Sequence, residues 1–243
     1  MRKNSSVEFF KRFSNLNDLY NHSLTKDFEG IGVVKKRYDI DSLDEDIKEV
    51  TDYFADDTFG EIREIKLNKN QSHSVAETTS EHALHTDATF SNDVLERFVL
   101  SFVEVEEDDK SGTSIFFPIE WILVEIPYKL GKALEVSTVS YVRKSEKEGD
   151  KKYEGPILKF DEDFKPIFRW RYDNKVKPKI IDSKELPINN AIEWVNEFIK
   201  NKEPLSYKAK AGETLIIDNT KILHGRTKLT EETKRIALRA WIK

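Results

Sequence analysis

Hydrophobic residues recur at helical spacing in two segments, residues 42–54 and 187–200. The apolar positions of the first segment share one face: Leu43, Ile47, Val50 and Phe54. Those of the second segment also share one face: Ile188, Ile192, Val195 and Ile199. Ser42 with Glu45 matches a capping box, and Pro187 suits the first turn of a helix. We therefore predict two amphipathic helices that pack on the core.

Several shorter apolar runs are rich in β-branched and aromatic residues, which favours strands. They lie at residues 30–34, 98–105 and 215–217, and the turn-forming pair Asp218 and Asn219 closes the last one. Residues 144–155 differ, because they carry eight charged side chains in twelve positions with no period. We predict a solvated loop or a mobile flap there.

The C-terminal residues 235–243 fit an alternating pattern. In a strand, Arg235, Arg239 and Trp241 share one face, and the opposite face is apolar. Two arginines on a face closed by tryptophan predict an anion-binding wall. In a helix, the same arginines form an ordinary basic surface stripe, and this alternative stays open at this point.

Many short strands with two or three helices predict a mainly β fold, a barrel or sandwich core with flanking α-helices. The 243 residues suit one domain, 1–243, which is long enough to bury about 70% of the surface of its unfolded chain. No apolar run approaches the roughly 18 residues of a membrane span, and the N-terminus lacks a signal-peptide core. We expect a soluble, cytoplasmic protein with no membrane partner.

Composition excludes several kinds of chemistry. The chain has no cysteine, which rules out disulfides, iron–sulfur clusters, cysteine-ligated zinc and a thiolate nucleophile. Acidic residues outnumber basic ones by 45 to 40, so nothing in the charge balance indicates nucleic acid binding.

The histidines supply candidate metal ligands. His85 and Asp87 are two positions apart, so both side chains point to one side of a strand. His224 follows a predicted buried strand and a turn. Two histidines and one carboxylate suit iron(II) and leave coordination positions open for substrate and oxygen. The single ligand charge favours an anionic co-ligand such as a dicarboxylic keto acid, whose far carboxylate suits an arginine.

Taken in order, these motifs resemble the taurine dioxygenase-like family of iron(II)/2-oxoglutarate-dependent oxygenases. The matching stretches span most of the chain: residues 28–34 (FEGIGVV), 85–90 (HTDATF), 112–113 (GT), 218–226 (DNTKILHGR) and 235–241 (RIALRAW). The resemblance implies a double-stranded β-helix, which is a distorted jelly roll. It also implies a flexible lid or insertion around residues 141–185, since that segment matches nothing in the family pattern.

The resemblance implies a role for each matching residue. It assigns iron(II) to three catalytic ligands: His85, Asp87 and His224. Thr113 would hydrogen-bond 2-oxoglutarate, Arg235 would bind the far carboxylate of 2-oxoglutarate, and Arg239 would meet an acidic group of the substrate. The implied reaction couples oxidative decarboxylation of 2-oxoglutarate by O2 to hydroxylation of a small anionic substrate, an amino acid or an amino-acid-derived metabolite. Asp87 occupies the position that a halogenase leaves open for halide.

Other interpretations remain at this point. The same chemistry can desaturate, a zinc hydrolase could use His82, His85 and Asp87, and a jelly roll can bind without catalysis. Residues 168–172 (FRWRY) predict either a substrate-facing strand or, preferably, a strand with exposed arginines and buried aromatics. We expect His73 and His82, near the metal motif, to be solvated or internally hydrogen-bonded.

Overall fold

Short strands make up most of the regular structure. The computed structural model describes residues 9–54, 61–68, 75–105, 111–143 and 150–243. The strands in these ranges are β1 (Lys11–Phe13), β2 (Ile31–Lys35), β3 (Ile62–Lys66), β4 (His82–His85), β5 (Arg97–Glu104), β6 (Ser114–Pro118), β7 (Thr138–Arg143), β8 (Lys151–Gly155), β9 (Leu158–Phe160), β10 (Pro166–Phe168), β11 (Lys179–Asp182), β12 (Leu205–Tyr207), β13 (Glu213–Asp218), β14 (Ile222–Arg226) and β15 (Ile236–Ile242). The helices are α1 (Leu16–Ser23), α2 (Ile40–Val50), α3 (Ile119–Glu125), α4 (Tyr128–Val136) and α5 (Ile188–Asn201), with a 3-10 turn at Val75–Glu77. The prediction of a mainly β fold is confirmed.

Two large sheets form the centre of the molecule. One has six strands in the order β1-β2-β13-β5-β15-β3, and the other has four in the order β12-β6-β14-β4. β1 and β2 are parallel, whereas the remaining pairs in these sheets are antiparallel. Smaller sheets of β11-β7-β8 and β10-β9 lie outside them.

Hydrophobic residues fill three layers. The central layer joins the inner faces of the two large sheets, with Phe98 and Leu215 from one and Phe116 from the other. A second layer packs α1 and α2 on the six-stranded sheet, and a third packs α3, α4 and α5 on the four-stranded sheet. Because side chains alternate along a strand, Ile216 enters the second layer while its neighbour Leu215 enters the central one.

The predicted helices are present, but the first one begins earlier than expected. The predicted cap at Ser42 is wrong, because the Asp39 carboxylate accepts a 2.8 Å hydrogen bond from the Ser42 amide and caps the helix instead. The helix also ends at Val50, since Tyr53 forms a β-bridge with Ile242. The second predicted helix is confirmed as α5. No helix in the described ranges has the length and apolarity needed to cross a membrane.

The strands predicted at residues 30–34, 98–105, 215–217 and 235–243 are confirmed as β2, β5, β13 and β15. The predicted loop at 144–155 is wrong for Lys151–Gly155, which is an edge strand paired with β7. The exposed Lys152 and Glu154 flank the buried Tyr153, so a strand satisfies both these charges and the aromatic ring. Residues 144–149 lie outside the described residues. The lid predicted at 141–185 remains a prediction.

Candidate metal centre

Strand pairing brings two histidines together at the edge of the four-stranded sheet. β14 pairs with β4 in a register that sets His224 directly opposite His85. Their ring centroids are 4.3 Å apart, within the range expected of side chains that face each other across an antiparallel ladder. The fold therefore brings together two histidines that are distant in the sequence.

Asp87 reaches the histidines from a turn. β4 ends at His85, and the next residue, Thr86, exchanges hydrogen bonds of 2.8 and 2.9 Å with the backbone of Trp170. Asn219 then holds the Asp87 backbone, accepting from its amide at 2.8 Å and donating to its carbonyl at 3.3 Å. The predicted convergence of Asp87 on His85 is correct, although neighbouring segments produce it and strand alternation does not.

Three ligand atoms converge. Nε2 of His85 and Nε2 of His224 lie 3.4 and 3.8 Å from Oδ1 of Asp87. One ligand atom from each residue lies within 4.8 Å of the other two. Two imidazoles and a carboxylate that converge in this way form the donor set that ferrous iron accepts, and this set leaves other coordination positions of the iron open. The residues present therefore fit iron(II).

The second carboxylate oxygen of Asp87 is held by the protein. Oδ2 accepts hydrogen bonds from Nη1 of Arg239 at 3.1 Å and from Nε1 of Trp241 at 2.8 Å. Burial would raise the pKa of Asp87, but the charge of Arg239 and the neighbouring imidazoles of His85 and His224 outweigh it and hold that pKa well below its usual range. Asp87 is therefore a carboxylate with Oδ1 directed at the histidines.

Burial keeps His224 and His82 neutral. Burial, followed by the neighbouring His85 imidazole, lowers the pKa of His224 to about 3, and burial also lowers the pKa of His82. Nδ1 of His85 lies 2.8 Å from the carbonyl oxygen of Ala83, so its N–H donates there and leaves Nε2 free for a metal. Nδ1 of His224 has no hydrogen-bond partner in the described part of the chain, and the ring is held by contact with Phe98 at 4.5 Å.

A cavity of about 60 Å³ adjoins the histidines on one side. His224, Arg235 and Arg239 line it, and the Arg235 guanidinium lies 5.3 Å from the ring centre of Phe102. The predicted anion-binding face of the last strand therefore meets the candidate metal centre. Thr113 does not line this cavity, although Ser114 beside it does. The Thr113 backbone is paired with Thr227 through two 2.9 Å hydrogen bonds.

A larger cavity of about 540 Å³ opens on the other side of Asp87. Arg239 and Trp241 line it, and Arg239 is common to both cavities. Arg171 from the predicted 168–172 segment also lines it. The expectation of exposed arginines in this segment is wrong for Arg169, which is buried because its guanidinium donates to backbone carbonyls of the loop after Asp87.

His82 packs against the metal centre without joining it. Its ring centroid is 4.1 Å from that of His85, and it lines the smaller cavity. Among the described residues, the histidines and carboxylates that converge on one point are His85, Asp87 and His224, which disfavours the zinc site built on His82. His73 lies outside the described residues.

Three residues of the site escape prediction from the sequence. The sequence indicates only a turn at Asn219, but the Asn219 side chain accepts a hydrogen bond from the Asp87 amide. Trp241 shares a strand face with Arg239, which was the one available signal for its hydrogen bond to Asp87. Gly225 separates His224 from Arg226, and a Cβ at this position would lie 2.5 Å from the carbonyl oxygen of His82. This close approach lets β4 and β14 pair beside the histidines.

The fold and the site define a mainly β protein with a buried centre of two histidines and one carboxylate. The profile of the family described as "Taurine catabolism dioxygenase TauD, TfdA family" matches residues 10–241, and the chain belongs to that family. No curated protein sequence matches it.

Solved structures share its fold. Asparagine oxygenase in complex with Fe(II), 3-hydroxyasparagine and succinate is 14% identical with a TM-score of 0.69, over 93% of this chain and 77% of that one. PvcB from Pseudomonas aeruginosa is 16% identical with a TM-score of 0.67, over 99% and 83%. The oxygenase OrfP in complex with Fe, succinate and (3S)-hydroxy-L-Arg is 15% identical with a TM-score of 0.67, over 93% and 78%.

Proposed function

We propose that this protein is an iron(II)- and 2-oxoglutarate-dependent dioxygenase that hydroxylates a small anionic substrate, an amino acid or an amino-acid-derived metabolite. The observation that carries the proposal is the convergence of His85, Asp87 and His224 beside a cavity that Arg235 lines. Membership of the dioxygenase family supports the same assignment. The two facing sheets are in keeping with a double-stranded β-helix core.

In this proposal, Nε2 of His85, Nε2 of His224 and Oδ1 of Asp87 hold the iron. When bound, iron(II) would supply the chemistry that couples decarboxylation of 2-oxoglutarate by O2, giving succinate and CO2, to insertion of the second oxygen atom into a C–H bond of the substrate. The chain supplies the positions of the reactants and a buried, preorganised setting. Arg239 and Trp241 fix the orientation of the Asp87 carboxylate through its other oxygen.

The smaller cavity is the 2-oxoglutarate site in this proposal. Arg235 provides a bidentate fork for the far carboxylate, and Thr113, next in the chain to the lining residue Ser114, is assigned to a second carboxylate. Lining by His224 joins the cavity to the candidate metal centre, as chelation of the metal by the keto acid requires.

The larger cavity is the substrate site. Arg239 uses one of its five N–H donors on Asp87 and lines this cavity, so it can also bind an acidic group of the substrate. Five residues between 171 and 179, in the predicted insertion, line the same cavity, which supports a substrate-facing role for that segment. Two structures of the same fold were solved with hydroxylated asparagine and hydroxylated arginine, which supports an amino-acid-like substrate.

The proposal is tested by adding iron(II) and 2-oxoglutarate without oxygen and recording the visible spectrum. We expect a charge-transfer absorption from the chelated keto acid, and its loss in Asp87→Ala. Asp163→Ala is the matched control, because Asp163 is an exposed aspartate outside both cavities. If the wild-type protein showed no such absorption, the assignment of an iron(II) and 2-oxoglutarate site would be wrong. With substrate and oxygen present, a product heavier by one oxygen atom separates hydroxylation from desaturation.

A further inference from the structure

The larger cavity has a strongly cationic lining. Two of its cations lie on the half-buried side, Arg171 and Arg239, and three are exposed lysines at alternate positions along residues 175–179. Among the described lining residues, Asp87 is the sole carboxylate. Arg63 and Arg143 also line this cavity and have contacts of their own with other groups.

The carboxylates near these cations neutralise only part of their charge. Asp87 pairs with Arg239 at 3.1 Å, and Asp173 pairs with Arg171 at 2.8 Å. Lys175, Lys177 and Lys179 form no ion pair within the described part of the chain, although the Lys177 ammonium lies 4.9 Å from the ring centre of Tyr172. The whole chain carries a net charge of −5, so the positive charges of these three lysines run against its general balance.

A buried hydroxyl lies beside the lysines. Ser140 on β7 is 3% exposed, lines the cavity and has no hydrogen-bond partner in the described ranges. It pairs directly with Lys179 on β11, so both side chains project from the same face of the small sheet. A buried hydroxyl without a partner is costly, and a ligand that accepts its hydrogen bond removes that cost.

We propose that the primary substrate carries a phosphoryl group that binds Ser140 and the three lysines, while its reacting carbon lies at the Asp87 end of the same cavity. This inference rests on the proposed function. A monocarboxylate offers a single charge, which Arg239 alone can meet, whereas a phosphate monoester carries about −1.5 to −2 and presents three acceptor oxygens. The cavity volume of about 540 Å³ lies in the range of sites that enclose a whole small molecule.

The test is calorimetric titration of the full-length protein with O-phospho-L-serine, L-glutamate and L-serine in a buffer without phosphate. We expect O-phospho-L-serine to bind most tightly. The variant Lys175→Gln/Lys177→Gln/Lys179→Gln should weaken this binding about tenfold, as the loss of three exposed charge interactions predicts. Ser140→Ala should weaken it as well.

A matched control removes three exposed lysines elsewhere: Lys129→Gln/Lys159→Gln/Lys165→Gln. This variant should bind O-phospho-L-serine like the wild type. Equal or tighter binding of L-glutamate, or an equal loss in the control and the test variant, overturns the phosphoryl assignment.

The two proposals fail separately. Binding of O-phospho-L-serine needs no iron, so a colourless protein that still binds it refutes the oxygenase and leaves the phosphoryl site. A protein that shows the ferrous 2-oxoglutarate absorption, and whose three lysines do not affect phosphoserine binding, refutes the phosphoryl site alone.

Discussion

At the scale of single residues, Asp87 divides its two oxygens between different partners. Oδ1 faces the histidines, and Oδ2 accepts from Arg239 and Trp241. The sequence could predict that Asp87 faces His85, because the two residues are close in the chain and their types suit a metal. It could not predict the partners of Oδ2, since the hydrogen bond from Trp241 spans 154 positions and depends on how two sheets pack.

Arg235 gives a prediction at this scale. Arg235→Ala should weaken binding of 2-oxoglutarate at least about 30-fold, because truncating one partner of a buried charge pair costs about 2–5 kcal/mol. Titration of 2-oxoglutarate into the ferrous protein, followed by the visible absorption, measures the change. Lys234→Ala is the control, since Lys234 is the exposed neighbour. An unchanged affinity in Arg235→Ala would remove Arg235 from the co-substrate site.

At the scale of elements, local patterns succeed where packing reinforces them. The apolar alternation of the last strand is correctly predicted, because both its faces meet protein layers. The helix cap is predicted wrongly, since Asp39 and Ser42 both have side chains that can cap a helix. The helix begins at Ile40, so Asp39 is the residue that caps it. The sequence of the edge strand β8 indicates a loop because two lysines and a glutamate occupy three of its five positions, and only the pairing with β7 makes it a strand.

Glu213 links several elements through one buried carboxylate. It accepts from Arg12 on β1, from Tyr207 on β12 and from the amide of Lys210. Burial would raise the pKa of Glu213, but these hydrogen bonds outweigh it and lower that pKa below its ordinary 4.5. Since the folded pKa is lowered, its stabilising contribution is complete above the ordinary value and disappears as the pH falls through the folded value.

Glu213→Gln should therefore lower the free energy of unfolding at pH 7 by about 1.5–3 kcal/mol, the usual range for hydrogen bonds to a charged group. The difference from the wild type should shrink once the pH falls below 4.5. Urea unfolding at several pH values measures both effects, with the exposed Glu203→Gln as the reference. A difference that stays constant across this pH range would contradict the role given to the Glu213 carboxylate.

At the scale of the whole molecule, the candidate centre joins distant parts of the chain. His85 and Asp87 come from the first half of the sequence and His224 from near its end. The order of the family motifs is visible in the sequence. The strand register that places His85 opposite His224 could not be predicted, because it is known only from the folded sheet. The cationic cavity could not be predicted either, because its lining comes from β3, residues 87–90, β7, β15 and five residues between 171 and 179, which no local pattern connects.

A metal held by residues so far apart stabilises the folded chain, because the unfolded chain has no such site. At a hundredfold excess over its dissociation constant, iron(II) should add about 2.7 kcal/mol and raise the Tm by about 5–10 °C. Thermal unfolding under anaerobic conditions, with and without chelator, measures this shift. Asp87→Ala should show little or none. A wild-type Tm that ignores iron would argue against a resident metal.

The absence of a side chain at Gly225 has a consequence for the whole site. Any larger residue there would act as a wedge between β14 and the carbonyl of His82, and the edge strand would have to move outward. His85 travels with that strand, so the two imidazoles would part although neither had been altered. The distance between the two histidine ligands thus depends on Gly225, which is not itself a ligand. Steric overlap with the backbone of β4 excludes larger residues at this position.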